Sequence, residues 1–453
     1  MARAVTNHEL EALLDEAGYG HGHGAFARQV NHAARDQGHL RYDASTVYWW
    51  LRGRCPDRYV QELITTVLTR RIGRTITVDD LGLGGEDTQV GLHYPGSPGE
   101  AVEIGSRLWR LTVQRGDLLA AAPFVVAAAL NTGFAWRYDP ADASVAHHGS
   151  RRILDSDITA LQLFAGQFAD LDRKHGGGAH HTRAMMSDFL YRRVSPMLHG
   201  TYTDVVGRRL MTAAATIAGQ LAFMSYDAGE HGAAQRHSTT ALRLAKAADD
   251  SLYGAHLLAN LATQAIYLGH GSEAVRLARA ALDGAGRAPA SVRARLHTTE
   301  ASAHAVAGDR RACTTALAKA SRALARSRPG DAPAWAGYFS PAHFAGTALR
   351  CHRDLRLHRQ AVRYGAAALD VPAGNLRTRA LHTALLASTH AAAGELDEAC
   401  HLGHQTIQHS RTISSGRVQH RLAELAQALT PHRSVAGVAD FFEQHRSTLA
   451  SSA

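Results

Sequence analysis

Glycines spaced at a near-constant interval through alanine-rich sequence constrain this chain more than any other feature. From about residue 205, four segments align: Tyr226-Asp-Ala-Gly229…Ala233…Ala241-Leu242, Tyr267-Leu-Gly269…Ala274…Ala281-Leu282, Ala307-Gly308…Ala312…Ala320 and Ala393-Gly394…Ala399. A less regular copy carries Ala361…Ala368-Leu369. Gly229 and Gly269 are 40 residues apart, and Gly269 and Gly308 are 39 apart. Two helices that pack closely need small residues at the contact, and the turn between them needs a residue tolerant of positive φ. One such pair cannot bury its apolar face alone, so pairs must stack on their neighbours. The pattern predicts an all-α repeat domain over 205–446, preceded by a helical connecting region (100–204) and followed by a short tail (447–453). A generic alanine-rich bundle is the alternative, and the fixed offsets from the turn glycines argue against it.

The first 83 residues read as a separate helical domain. Asn7 is placed to cap a helix over 7–17, with Leu10, Leu13, Leu14 and Ala17 as its inner stripe. Residues 25–36 form a second, with Phe26, Ala27, Val30 and Ala34 inward, and 58–71 a further one with Val60, Leu63, Ile64, Val67 and Leu68 inward. Thr77 is expected to cap a last short turn. Residues 82–99 are rich in Gly, Pro and polar residues and place a linker at 84–99. Lys174 to Ala179, with its Gly-Gly-Gly run, reads as a flexible break.

Within that first domain, Asp43 to Arg54 (DASTVYWWLRGR) carries the functional signal. Asp43 can accept from the orphan amides of a helix's first turn. Val47, Trp50 and Leu51 make one apolar face. Gly53 suits the position just past a helix end. A short helix with an apolar back and a hydrogen-bonding front fits a major groove, which is about 12 Å wide. Ser45 and Thr46 can touch base edges or phosphate, or simply cap the helix. Tyr48 and Trp49 lie off the core face, facing DNA, a neighbouring helix or a dimer partner. Arg41, Arg52, Arg54 and Arg58 flank the helix and suit phosphate contacts, which position a protein without reading sequence. For any one of them a solvated charge is the plain alternative.

Charge alone does not decide the matter. The formal charge is +9, but residues 1–83 hold ten Arg and ten acidic residues. The acids crowd the first helix (Glu9, Glu11, Asp15, Glu16) and the arginines come later, so a local basic face is expected there. The four cysteines are far apart with no CxxC, which argues against a disulfide framework and fits a reducing, cytoplasmic setting. The N-terminus has no apolar core of a signal peptide, and the longest apolar run, Leu118 to Leu130, is too short to span a bilayer. The 29 histidines include close pairs (His21/His23, His147/His148, His180/His181) but no converging zinc set, so no metal is expected. No phosphate-binding glycine motif, nucleophile elbow or HExxH helix occurs, so neither a cofactor nor catalysis is expected. Asn260 and Gln264, one turn apart in the best repeat, could grip the backbone of a bound effector peptide. A polar bond between repeats is the plainer reading.

The helix-turn-helix segment and the repeats together resemble an actinobacterial regulator family that joins an XRE-like helix-turn-helix to a C-terminal tetratricopeptide array. Some of its members are negative regulators of differentiation and antibiotic production in Streptomyces. The segments carrying the resemblance are LRYDASTVYWWLRGRCP (40–56), RRIGRTITVDDLGLG (70–84), DLDRKHGGGAHH (170–181), AFMSYDAGEHGAAQRHSTTALRLAKAADD (222–250) and WAGYFSPAHFAGTALRCHRDL (335–355). The resemblance implies a repressor that binds a double-stranded DNA operator sequence-specifically and is nucleoid-associated when bound; a homodimer is expected because one short helix reads few base pairs. Its repeats would carry dimerisation and a peptide, small-molecule or protein effector. Tyr48-Trp49 departs from the Ser-Arg frequent in the family, and arginine there can pair with guanine. Either the operator differs, with Trp49 against a thymine methyl, or DNA binding is weaker. The alternative function is a repeat-built interaction scaffold without specific DNA binding.

Overall fold

Every regular element is helical in the computed structural model, which describes residues 7–34, 41–52, 54, 56, 58–82, 89–372 and 374–452. The side chains of Arg58, Asp79 and 448–452 are outside that description. Two isolated β-bridges, His147 with Tyr202 and Arg152 with Thr201, are the only extended pairings among the described residues. No helix among them is long and apolar enough to cross a membrane. The chain divides into two compact units, 1–90 with 114–119, and 91–113 with 120–453.

In the first unit, α1 (His8–Glu16), α2 (His23–Ala33), α3 (Ala44–Trp50) and α4 (Arg58–Ile72) surround one core. Leu10, Phe26, Val30, Val47, Trp50, Val60, Ile64 and Leu68 are its buried members, each at the helical spacing read from the sequence. Asn7 caps α1 by accepting the Leu10 N–H at 3.0 Å. It also donates from Nδ2 to the Leu81 carbonyl at 3.1 Å, and its own N–H reaches the Leu51 carbonyl at 3.0 Å. One buried asparagine therefore ties three chain segments together. Thr77 caps the 3₁₀ turn Asp79–Leu81 from its hydroxyl, and Asp80 returns a bond to the Thr77 N–H at 2.8 Å.

The remaining helices are α5 (Pro98–Gln114), α6 (Gly116–Ala120), α7 (Val126–Tyr138), α8 (Asp155–His175), α9 (His180–Phe189), α10 (Ser195–Leu198), α11 (Asp204–Ala228) and α12 (His231–Ala247). Then follow α13 (Ser251–Tyr267), α14 (Gly271–Gly284), α15 (Ala290–Val306), α16 (Arg310–Leu324), α17 (Pro341–Asp354), α18 (His358–Val362) and α19 (Gly365–Leu369). The chain ends with α20 (Leu376–Ala393), α21 (Leu396–Ser410), α22 (Gly416–Leu429) and α23 (Ala436–Ser452). The repeat glycines sit at the turns. Gly229, Gly269, Gly308 and Gly394 have φ of +90°, +84°, +79° and +82°. Each turn closes with the same bond, from the N–H after the glycine to the carbonyl five residues back: Glu230 to Ser225, His270 to Ala265, Asp309 to His304 and Glu395 to His390. The irregular copy obeys the same rule, with Leu357 donating to His352. There Arg356 takes the glycine's place at φ 59°.

The region before the repeats shares their core: residues from Ala101 to Ala336 form one buried cluster. Trp136 of α7 is a wedge in it. A Cβ at Gly254 would lie 2.6 Å from the Trp136 ring, and one at Gly284 only 2.2 Å away. Of the stretch read as a linker, 84–88 lies outside the described residues, while Leu92 is buried and Pro95 accepts from Arg243 at 2.9 Å. The Gly176–Gly178 run is not the loose break its composition suggests. A Cβ on Gly177 would meet Met224 Cα at 2.8 Å, and one on Gly178 would meet the Ser414 carbonyl at 2.8 Å. Close backbone approach, rather than flexibility, accounts for these glycines.

Candidate nucleic-acid interface

A helix of seven residues is too short to persist by itself in water. Three devices hold α3. Its back is buried: Val47, Trp50 and Leu51 are 0%, 2% and 3% exposed. Each such side chain contributes roughly 1.5–3 kcal/mol by leaving water. Its entry is clamped, because Asn31 of α2 accepts the Tyr42 N–H at 3.0 Å and donates to the Tyr42 carbonyl at 2.8 Å. The Tyr42 ring then meets Trp50 edge-on at 5.2 Å. Its first turn is capped as expected, with the Thr46 N–H donating to Asp43 Oδ1 at 2.9 Å. That bond, followed by those from the Thr46 and Ser45 side chains, holds the Asp43 carboxyl below its ordinary pKa.

The outer face is now defined. Ser45 and Trp49 are exposed, and Arg41 and Arg54 are exposed and without an ion pair among the described residues. Thr46 is half-buried and its hydroxyl also donates to Asp43 Oδ1 at 2.9 Å, so capping occupies it. Tyr48 is half-buried between Trp49, whose ring stands edge-on at 5.5 Å, and Arg52, whose guanidinium lies 3.3 Å above the Tyr48 ring centre. Arg52 also donates to the Tyr48 carbonyl at 3.2 Å. It lies folded along its own helix end. Gly53, Cys55 and the Arg58 side chain fall outside the described residues.

Elsewhere in the unit the α1 acids are partly answered. Arg74 makes two bonds to Glu16, at 2.8 and 3.2 Å, and lowers its pKa. Arg115 pairs with Glu9.

Asn260 and Gln264 do not form a shared polar face. Gln264 is 2% exposed, and its Nε2 donates to the His231 carbonyl at 2.7 Å. Asn260 is half-buried; it accepts from Arg295 and lies 3.3 Å from His256 Nε2. Sequence reasoning missed Asn31, because a single asparagine on an amphipathic helix carries no periodic signal. It also missed Gln61, 2% exposed on α4, for the same reason.

Residues 10–84 match the family described as the SP15 N-terminal domain. This span runs from within α1 to beyond the last short turn and contains all of α3. Among curated proteins none matches the chain.

Proposed function

We propose that this chain is a sequence-specific DNA-binding transcriptional regulator. The first unit acts as an XRE-like helix-turn-helix, α2 and α3 being its two helices, and α3 lies in the major groove. The second acts as a tetratricopeptide-like solenoid that dimerises the protein and receives an effector. The observation that carries the reading is the division of α3 into a buried apolar back and a front of Ser45, Tyr48, Trp49 and Arg52, flanked by the exposed Arg41 and Arg54. Seven helical residues span about 10 Å, a length that fits the groove. Ser45 and Trp49 are the base readers, and Arg41 and Arg54 are the phosphate contacts, with Arg58 beside them. Arg52 joins them by leaving the Tyr48 ring. Thr46 contributes mainly by capping. Dimerisation follows from the few base pairs that one short helix can read. Repression rests on the family resemblance alone, and residence on the nucleoid follows from DNA binding.

The test is a gel-shift selection on genomic fragments with a salt titration. Specific binding predicts discrimination among fragments and a log affinity that falls linearly with log salt. Arg41→Ala with Arg54→Ala is expected to weaken binding to every fragment and flatten the salt slope by about two. Binding that is equal on all fragments would favour the scaffold reading, and a slope unchanged in the double variant would refute this docking.

A further inference from the structure

Arg295 of α15 is a buried cation whose hydrogen-bond partners are all neutral. It is 6% exposed, and among the described residues no carboxylate pairs with it. Its Nε donates to the Tyr338 hydroxyl at 2.6 Å and its Nη2 to Asn260 Oδ1, while Nη1 has no partner. Both of these partners, a phenol and an amide, are neutral. Four other arginines that are buried or half-buried each face a carboxylate: Arg243 has Asp142, Arg377 has Asp172, Arg417 has Asp227 and Arg183 has Glu230. A guanidinium withdrawn from water without an anion costs several kcal/mol, and folding gains nothing from it that Asn260 and Tyr338 could not offer a neutral side chain.

Two further polar atoms near it lack partners. Ser291 stands one turn away on the same helix, 5% exposed, with its hydroxyl unpaired. His256 on α13 faces Arg295 with Nδ1 unpaired. Burial and then the Arg295 charge hold its pKa well below the ordinary value, so it is neutral and can donate or accept. An aromatic wall adjoins the group. Trp335 lies 4.6 Å from the His256 ring and 5.7 Å from Tyr253. Trp335 and Tyr338 both come from the connection between α16 and α17, residues 325–340, and Tyr338 is 42% exposed at its edge.

We propose that this is a binding site for a small organic acid: Arg295 Nη1, with Ser291 and the Tyr338 hydroxyl, takes the carboxylate, and Trp335 carries the ligand's apolar body. Planar guanidinium and carboxylate match in geometry, and the charge-assisted bonds are the strong kind. The site gives chemistry to the effector role proposed above and rests on that part of it, but not on DNA binding.

The experiment titrates the full chain, without DNA, with benzoate and with acetate, using benzamide and inorganic phosphate as controls. Calorimetry and ligand-observed NMR report the binding. Saturable benzoate binding is expected, with benzamide and phosphate at least about tenfold weaker. Arg295→Gln is expected to reduce benzoate affinity at least about tenfold without lowering the unfolding midpoint, because it removes an unpaired buried charge. Tyr338→Phe, which removes one hydroxyl at the edge, is expected to weaken benzoate severalfold. The proposal is overturned if neither carboxylate binds, if benzamide binds as well as benzoate, or if Arg295→Gln or Tyr338→Phe binds benzoate like wild type. Should Arg295→Gln fail to fold, Tyr338→Phe decides. Because no DNA is present, failure here leaves the DNA-binding reading intact, and failure of the gel-shift selection leaves this site intact.

Discussion

Asp227→Asn tests how the second unit is held together. Asp227 is fully buried at the end of α11. It accepts from Arg417 Nε at 2.7 Å, Ser415 Oγ at 2.9 Å and the Gly177 N–H at 2.9 Å, and lies 3.3 Å from Arg377 Nη1. Arg377 makes a second, bidentate pair with Asp172 of α8, at 2.6 and 2.8 Å. Two carboxylates thus face two guanidiniums, and the cluster is neutral. Asn keeps the shape and an acceptor oxygen but leaves a net buried positive charge between two arginines. Removing one member of such a buried pair costs about 3–5 kcal/mol. The assay is urea unfolding at neutral pH, read in the transition of the second unit. Asp227→Asn with Arg417→Met restores neutrality and is expected to cost less than the sum of the singles, by about 1–3 kcal/mol. The pH dependence has a definite sign. Burial raises the Asp227 pKa, but the Arg417 and Arg377 charges outweigh it, and the folded value is lowered. The stabilisation is therefore complete above the ordinary aspartate value of about 3.9 and is lost as pH falls from there through the folded value. A single variant within about 1 kcal/mol of wild type, or additive variants, would refute the argument.

Two further substitutions test backbone geometry. Arg356→Gly removes an L-residue from the left-handed region, which costs about 1–2 kcal/mol. Because glycine also loosens the unfolded chain, a net gain of about 0.5–1 kcal/mol is expected by denaturant unfolding, and a loss would show that the arginine side chain matters more than the turn. Gly177→Ala places a methyl 2.7 Å from Asp227 Cβ and 2.8 Å from Met224 Cα. It is expected to lower stability by about 1–3 kcal/mol, whereas Gly229→Ala meets no atom and shows only the cost of its positive φ.

What was legible in the sequence was whatever repeats at short range. Leu10, Leu13 and Leu14 are buried as their spacing requires, Asp43 caps α3, and the four glycines mark four turns with one hydrogen-bond pattern. Arg356 was hidden because the turn it occupies is set by the backbone, and its residue type points elsewhere. The glycine run at 176–178 was misread because composition cannot separate a loose loop from a crowded one. For Gln264 the plainer of the two readings matches the geometry, since its amide bonds the His231 carbonyl rather than facing a ligand. Arg295 gave no signal at all: one arginine among 46 stands out only once its hydrogen-bond partners are known to be neutral.

The Asp227 cluster also bears on how the second unit is closed. Here the late helices α20 and α22 return to α8 and α11, and Asp172 and Arg377 meet across 205 residues of chain. The ring of Phe223 lies under both guanidiniums, 5.2 Å from that of Arg377 and 5.3 Å from that of Arg417. An apolar contact alone could slide along a helix, whereas a bidentate pair and a shared carboxylate fix one register. The ionic closure therefore selects one arrangement of α20 and α22. This follows from geometry even if an apolar replacement of the whole cluster proved equally stable.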